Sequence, residues 1–161
     1  MVEKMAVSDI RAQLFADLNS CEYLFLREIG EPGENSLRLL IEEGIASADA
    51  VSTEVAGHVI ADCHRVTSGD NAQLFEITWD FYVAYSIRNE SYVVRDDSEK
   101  FELGNLARIY SESKFLEYVA RATFACNEHP GPLLHVELIC ASHIVDVMST
   151  GLPRIIRLRP N

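Results

Sequence analysis

The sequence predicts a single α+β domain in which antiparallel strands outweigh helix. Three observations carry this. Phe75, Ile77, Trp79, Phe81, Val83, Tyr85 and Ile87 alternate with Glu76, Thr78, Asp80, Tyr82, Ala84, Ser86 and Arg88, the period-2 pattern of a half-buried strand. Helical spacing occurs in only two segments, with strand-like runs between them and after them. Strands do not alternate with helices as βαβ units require, which argues against a dinucleotide-binding sheet, and there is no internal repeat or linker.

Ser8 and Asp9 are suited to cap a first helix, and Ile10, Leu14, Leu18, Cys21 and Phe25 continue it to about residue 27. The segment Tyr23–Leu26 also reads as the opening of a strand. Gly30-Glu31-Pro32-Gly33 breaks the chain. Strand-like runs follow at 36–46 and 57–67, with a small-residue loop at 47–56. The run at 74–88 is expected to form one long, bent strand in a curved sheet. It would bury Ile77, Trp79, Phe81 and Val83 on one face and turn Glu76, Thr78 and Asp80 away.

Asp96–Lys100 reads as an exposed turn, and Phe101–Tyr110 as a return strand. A second helix spans about 113–126, with Phe115, Val119, Ala122 and Cys126 on one face, and Asn127–Pro132 ends it. A last apolar run at 133–148 and a short Arg-bearing tail, 153–159, close the chain. The expected fold is a curved meander of four to six strands packed against both helices.

Composition narrows the function classes. The 161 residues carry 25 acidic and 14 basic side chains, a formal charge of −11. A field of that sign repels phosphate backbones and anionic lipid, so nucleic-acid and membrane binding are disfavoured. The opening segment has no apolar leader and no apolar stretch is long enough to span a bilayer, so a cytoplasmic protein is expected. The four cysteines, at 21, 63, 126 and 140, form no paired motif and are expected to be reduced and mostly buried. The three arginines of the tail suit an edge strand blunted by charge.

Searches for chemistry return little. No phosphate-binding glycine loop, nucleophile elbow or zinc-protease motif occurs. Ser111-Glu112-Ser113-Lys114 has the S-x-x-K spacing, but at a helix start capping accounts for it. Among the histidines, His58, Asp62 and His64 would share one strand face, and His135, Glu137 and His143 another. If those strands were neighbours in register, Asp62, His64, His135 and Glu137 could converge on a first-row metal. The plainer expectation is that they line the wet side of a sheet, with no metal and no cofactor.

Two function classes remain. The first is a non-enzymatic interaction protein (adaptor, inhibitor or immunity-type) with an acidic face for a protein partner. Glu42, Glu43, Glu76, Asp80, Tyr82 and Arg88 are its candidate binding residues. The second is a small-molecule binder or small pocket enzyme using Asp, Glu, His and Tyr on the concave face of the sheet. A pocket enclosing several hundred Å³ would favour the second class. A groove with an apolar centre and an acidic rim would favour the first. Oligomeric state is not legible.

Overall fold

A computed structural model describes residues 7–94, 96–102 and 104–158. Arg159 of the tail and the first six residues lie outside them. The fold is α+β, mostly sheet, with helices α1 (Val7–Ser20) and α2 (Lys114–Ala122). Its strands are β1 (Tyr23–Gly30), β2 (Leu37–Val55), β3 (His58–Thr67), β4 (Leu74–Trp79) and β5 (Ala84–Asn89). After them come β6 (Lys100–Glu102), β7 (Ala107–Glu112), β8 (Leu134–Ile139), β9 (His143–Ser149) and β10 (Arg154–Leu158). Among the described residues they form two five-stranded antiparallel sheets. The first runs β1-β2-β4-β10 with β3 on β2, and the second runs β5-β9-β8-β7-β6.

One apolar cluster joins the sheets. Leu37, Leu39, Ile41, Phe75, Ile77 and Trp79 from the first meet Ala107, Ile109, Val136, Leu138, Val145 and Val147 from the second, and Phe15 and Leu18 of α1 complete it. Period 2 makes this possible, because each strand sends alternate side chains inward.

Four expectations are corrected. The first helix stops at Ser20, and Tyr23–Gly30 is strand. The amide of Cys21 bonds Leu18 O as the helix closes, and Leu24 then enters the core from the strand. Val7, Ser8 and Asp9 are already helical, so neither Ser8 nor Asp9 is the cap, and the Asp9 carboxylate in the first turn suits the helix dipole. Residues 47–55 are not a loop; they continue β2 as a ribbon paired with β3. The ribbon turns at Ala56 and Gly57, both at positive φ (51° and 81°), as a two-residue hairpin of this hand requires.

The largest correction concerns 74–88. It is two strands in different sheets, joined by a crossing at 80–83. Ile77 and Trp79 are buried and Glu76 and Thr78 lie on the other face, as expected. Phe81 lies in the crossing and is 44% exposed, and Val83 is only half-buried. Phe81→Ala should therefore cost about 1–2 kcal/mol in a urea melt, less than a fully buried phenylalanine would, since only part of its area is buried. A loss of several kcal/mol would show that Phe81 is packed.

Smaller differences follow the same logic. The return strand is split into β6 and β7, and the run 133–148 is a hairpin of β8 and β9. The second helix is shorter than expected; only Val119 is buried, while Ala122 and Cys126 are exposed. Cys21 and Cys140 are buried, Cys63 is half-buried and Cys126 exposed. Among the described residues β10 pairs only β4, so that part of the tail is an edge strand. Among the described residues no helix is long and apolar enough to cross a membrane.

One polar side chain fixes α1 to the second sheet. Asn19 Oδ1 accepts from Leu106 N at 3.0 Å and Ala107 N at 2.9 Å, and its Nδ2 donates to Ala107 O at 3.1 Å. Gly104 leaves the room, because a Cβ there would stand 2.4 Å from Asn19 Cγ. Asn19→Ala should cost about 1–3 kcal/mol, the penalty for stranding part-buried amide groups. An unchanged urea midpoint would mean water replaces the clamp.

Candidate functional site

The second sheet has two faces of opposite character. Its inner face is aliphatic. On its outer face, the register of β5, β9, β8 and β7 sets Arg88, Asp146, His135, Glu137, Arg108 and Tyr110 together. Helix α2 and residues 90–94 and 96–99 stand over this face.

The polar groups are bonded to one another. Tyr110 OH donates to Glu137 Oε1 at 2.9 Å, and Arg88 Nη2 donates to Glu137 Oε2 at 3.2 Å. Arg88 also grips Asp146 in a fork, Nε to Oδ2 at 3.0 Å and Nη2 to Oδ1 at 3.1 Å. His135 Nε2 lies 3.0 Å from Asp146 Oδ1, and its Nδ1 lies 2.8 Å from Ser113 Oγ. Tyr110 stacks on the imidazole at 4.7 Å, and Phe115 meets it edge-on at 5.5 Å. Arg108 lies over the Phe101 ring at 4.3 Å, with its Nη1 3.6 Å from Glu137. His135, Glu137, Asp146 and Ser113 are all buried. The cost of burying these polar groups is offset by the hydrogen bonds they make to one another.

Burial shifts the protonation of this network. It pushes the Glu137 carboxyl above its ordinary value, against the Tyr110 hydrogen bond that favours the ion. Burial, with the Glu137 charge, pushes the Tyr110 phenol up to about 12. A carboxyl raised by folding keeps its proton in the native state where the unfolded chain has lost it. The stability linked to Glu137 is therefore complete below the ordinary carboxylate value and falls as pH rises through the folded one. Glu137→Gln should flatten that limb in urea melts from about pH 4 to about pH 8. A slope identical to that of the parent would place the dependence elsewhere.

Ser113, His135 and Asp146 have the composition of a nucleophilic triad, so their chemistry must be weighed. A carboxylate only accepts, so Nε2 donates to Asp146, and Nδ1 shares a hydrogen bond with the Ser113 hydroxyl. But Ser113 is the N-cap of α2. Its Oγ also accepts Leu116 N–H at 3.0 Å, and the residue is 6% exposed. An oxygen held on both sides beneath a helix end cannot approach a substrate carbonyl. The S-x-x-K reading fails similarly, because Ser111 Oγ bonds Lys100 O and Lys114 Nζ pairs with Asp96. The buried thiols are also poor nucleophiles, Cys21 being pushed up to about 11 and Cys140 to about 12 by burial.

Above the network lies a half-open cleft of about 410 Å³. Phe101, Tyr110, Ile139 and Ile144 supply apolar surface, Glu90, Asp96, Asp97 and Glu99 supply carboxylates in excess, and Arg88 and Arg108 also line it. Lys114 and Ser98 hold the Asp96 carboxyl well below the usual carboxylate range, so it stays ionised. A second hollow continues the cleft past His135 and Lys114 toward Ser86 and Phe115.

The residues singled out from sequence are scattered. Glu42 and Glu76 stand on the outer face of the first sheet, paired with Arg27 and Arg38. Glu43 accepts from Gln73 N at 3.1 Å near the ribbon's base, and Asp80 sits exposed in the sheet crossing. Tyr82 donates to Glu31 at 2.6 Å, while Arg88 belongs to the buried network. The four proposed metal ligands are not brought together. Asp62 and His64 lie on β3 of the first sheet, Asp62 at φ 58° where the ribbon's register slips. His135 and Glu137 lie on β8 of the second. Among the described residues, no group of three or more His, Cys, Asp or Glu is placed to hold a metal ion.

The sequence pairs His135 with Glu137 and offers Ser113 as a helix cap, which it is, but does not bring Asp146, Tyr110 or Arg108 to them. The available signal was isolated polar residues inside apolar runs, Leu-His-Val-Glu-Leu-Ile and His-Ile-Val-Asp-Val-Met. In a hairpin such residues fall opposite one another. Compared with known proteins, the chain matches no family model, no curated protein and no solved structure.

Proposed function

We propose that this is a non-catalytic interaction protein whose acidic cleft takes a basic segment of a protein partner. One observation supports the reading above the others: four carboxylates, Glu90, Asp96, Asp97 and Glu99, border a cleft lined by Phe101 and Tyr110. A Lys or Arg side chain suits such a place, its aliphatic stem against the exposed apolar surface of Val94 and Phe101 and its charge at the rim. The formal charge of −11 adds long-range attraction for a basic partner.

Affinity purification from the native host at low salt, followed by mass spectrometry, tests this. A stoichiometric basic protein is expected. Its association should slow as salt rises and the Debye length shortens to about 8 Å. Glu90→Lys with Asp97→Lys should weaken binding at least tenfold without lowering the melting temperature. Salt-insensitive capture, or capture unaffected by the double charge reversal, would sink the reading.

A further inference from the structure

Unpaired strand edges in this fold are almost all protected. The outer edge of β1 is broken by a register slip between Leu26 and Glu28. β3 carries a second slip around Asp62, β6 is three residues long and bears Lys100, and β10 bears Arg154 and Arg157. These are the usual devices against edge-to-edge pairing. β5 has no slip, no lysine and a single charge. It ends its sheet, its register with β9 is unbroken from Ala84 to Asn89, and it contains no Pro or Lys. Its one charge, Arg88, is drawn inward to Asp146 and Glu137. Tyr85 and Ile87 are 36% and 40% exposed.

Beside this edge lies an aromatic hollow lined by Tyr82, Ala84, Tyr85, Ser86, Phe115 and Tyr118. It shares Ser86 and Phe115 with the next hollow, which shares Arg88, Asp96 and Glu99 with the acidic cleft. A single trough thus follows β5 beneath α2, with carboxylates at both ends. At the far end Glu31 accepts from both Tyr82 and Tyr85.

We propose that an extended basic segment of the partner adds to the second sheet as a sixth strand on the β5 edge. It would set alternate Lys or Arg side chains into the trough. Backbone hydrogen bonds would supply affinity, and the period-2 side chains specificity. A second copy of this chain fits poorly there, because it would bring another −11 and another set of acidic rims against the first. This inference rests on the partner-binding reading, but specifies the mode.

The test pans a phage-displayed random dodecapeptide library against the full chain and measures the enriched peptides by fluorescence anisotropy. Enriched peptides should carry Lys or Arg at alternate positions. N-methylation of every second peptide amide should weaken binding more than tenfold, as should Tyr85→Lys, and binding should slow hydrogen exchange along β5. Salt-sensitive binding of basic peptides that ignores both N-methylation and Tyr85→Lys would overturn strand addition and leave the basic-partner reading standing. Enrichment of acidic peptides would overturn both. Failure to enrich any peptide, or a dimer in light scattering that Tyr85→Lys dissolves, would overturn the proposed occupant of this edge.

Discussion

Asp146→Ala should destabilise the protein by about 3 kcal/mol, the low end of the range for breaking a buried pair. The aspartate is 1% exposed and is the shared acceptor for Arg88 and His135. Without it the imidazole N–H faces a dry space, and the guanidinium keeps only Glu137. Arg88 is 45% exposed, so water recovers part of its solvation and holds the loss down. Urea melts of Asp146→Ala, Arg88→Met and the double variant give the coupling. The double variant should be less destabilised than the sum of the singles. Strict additivity would mean that the two side chains do not act as a pair.

Phe75→Ala should cost about 3–5 kcal/mol, the largest effect of any single truncation considered. Phe75 is fully buried on β4 within the cluster that joins the sheets. Its strand is held on both sides, by β2 and by β10, so the backbone cannot close over the void. The midpoint should fall with little change in the urea slope. A loss under about 1 kcal/mol would show that the core repacks around the gap.

Phe75 and Phe81 also show how far the sequence could be read. Both belong to one unbroken alternation, and the alternation is real on either side of the crossing. Parity states which face a residue takes on its own strand. It does not say which sheet the strand belongs to, and residues 80–83 change sheets without breaking the pattern. The small residues at 47–55 misled for a different reason. They form a ribbon with no layer packed against it, so no apolar face is demanded and the stretch resembles a loop. At the site, the shared face of His135 and Glu137 was legible from their spacing. Asp146, Tyr110 and Arg108 arrive from other strands, and their place depends on pairing register, which one-strand periodicity does not contain.

The ribbon of β2 and β3 has a consequence for local stability. From residue 48 to residue 62 every side chain is exposed, Val51, Val55, Val59 and Ile60 among them. A two-stranded element held by its own hydrogen bonds alone is marginal in water. It should open and close as a separate unit while the two packed sheets stay shut. Its amides should exchange with deuterium far faster than those of β4 or β8. A protease should nick the chain there first, leaving a trimmed core that still melts as one body.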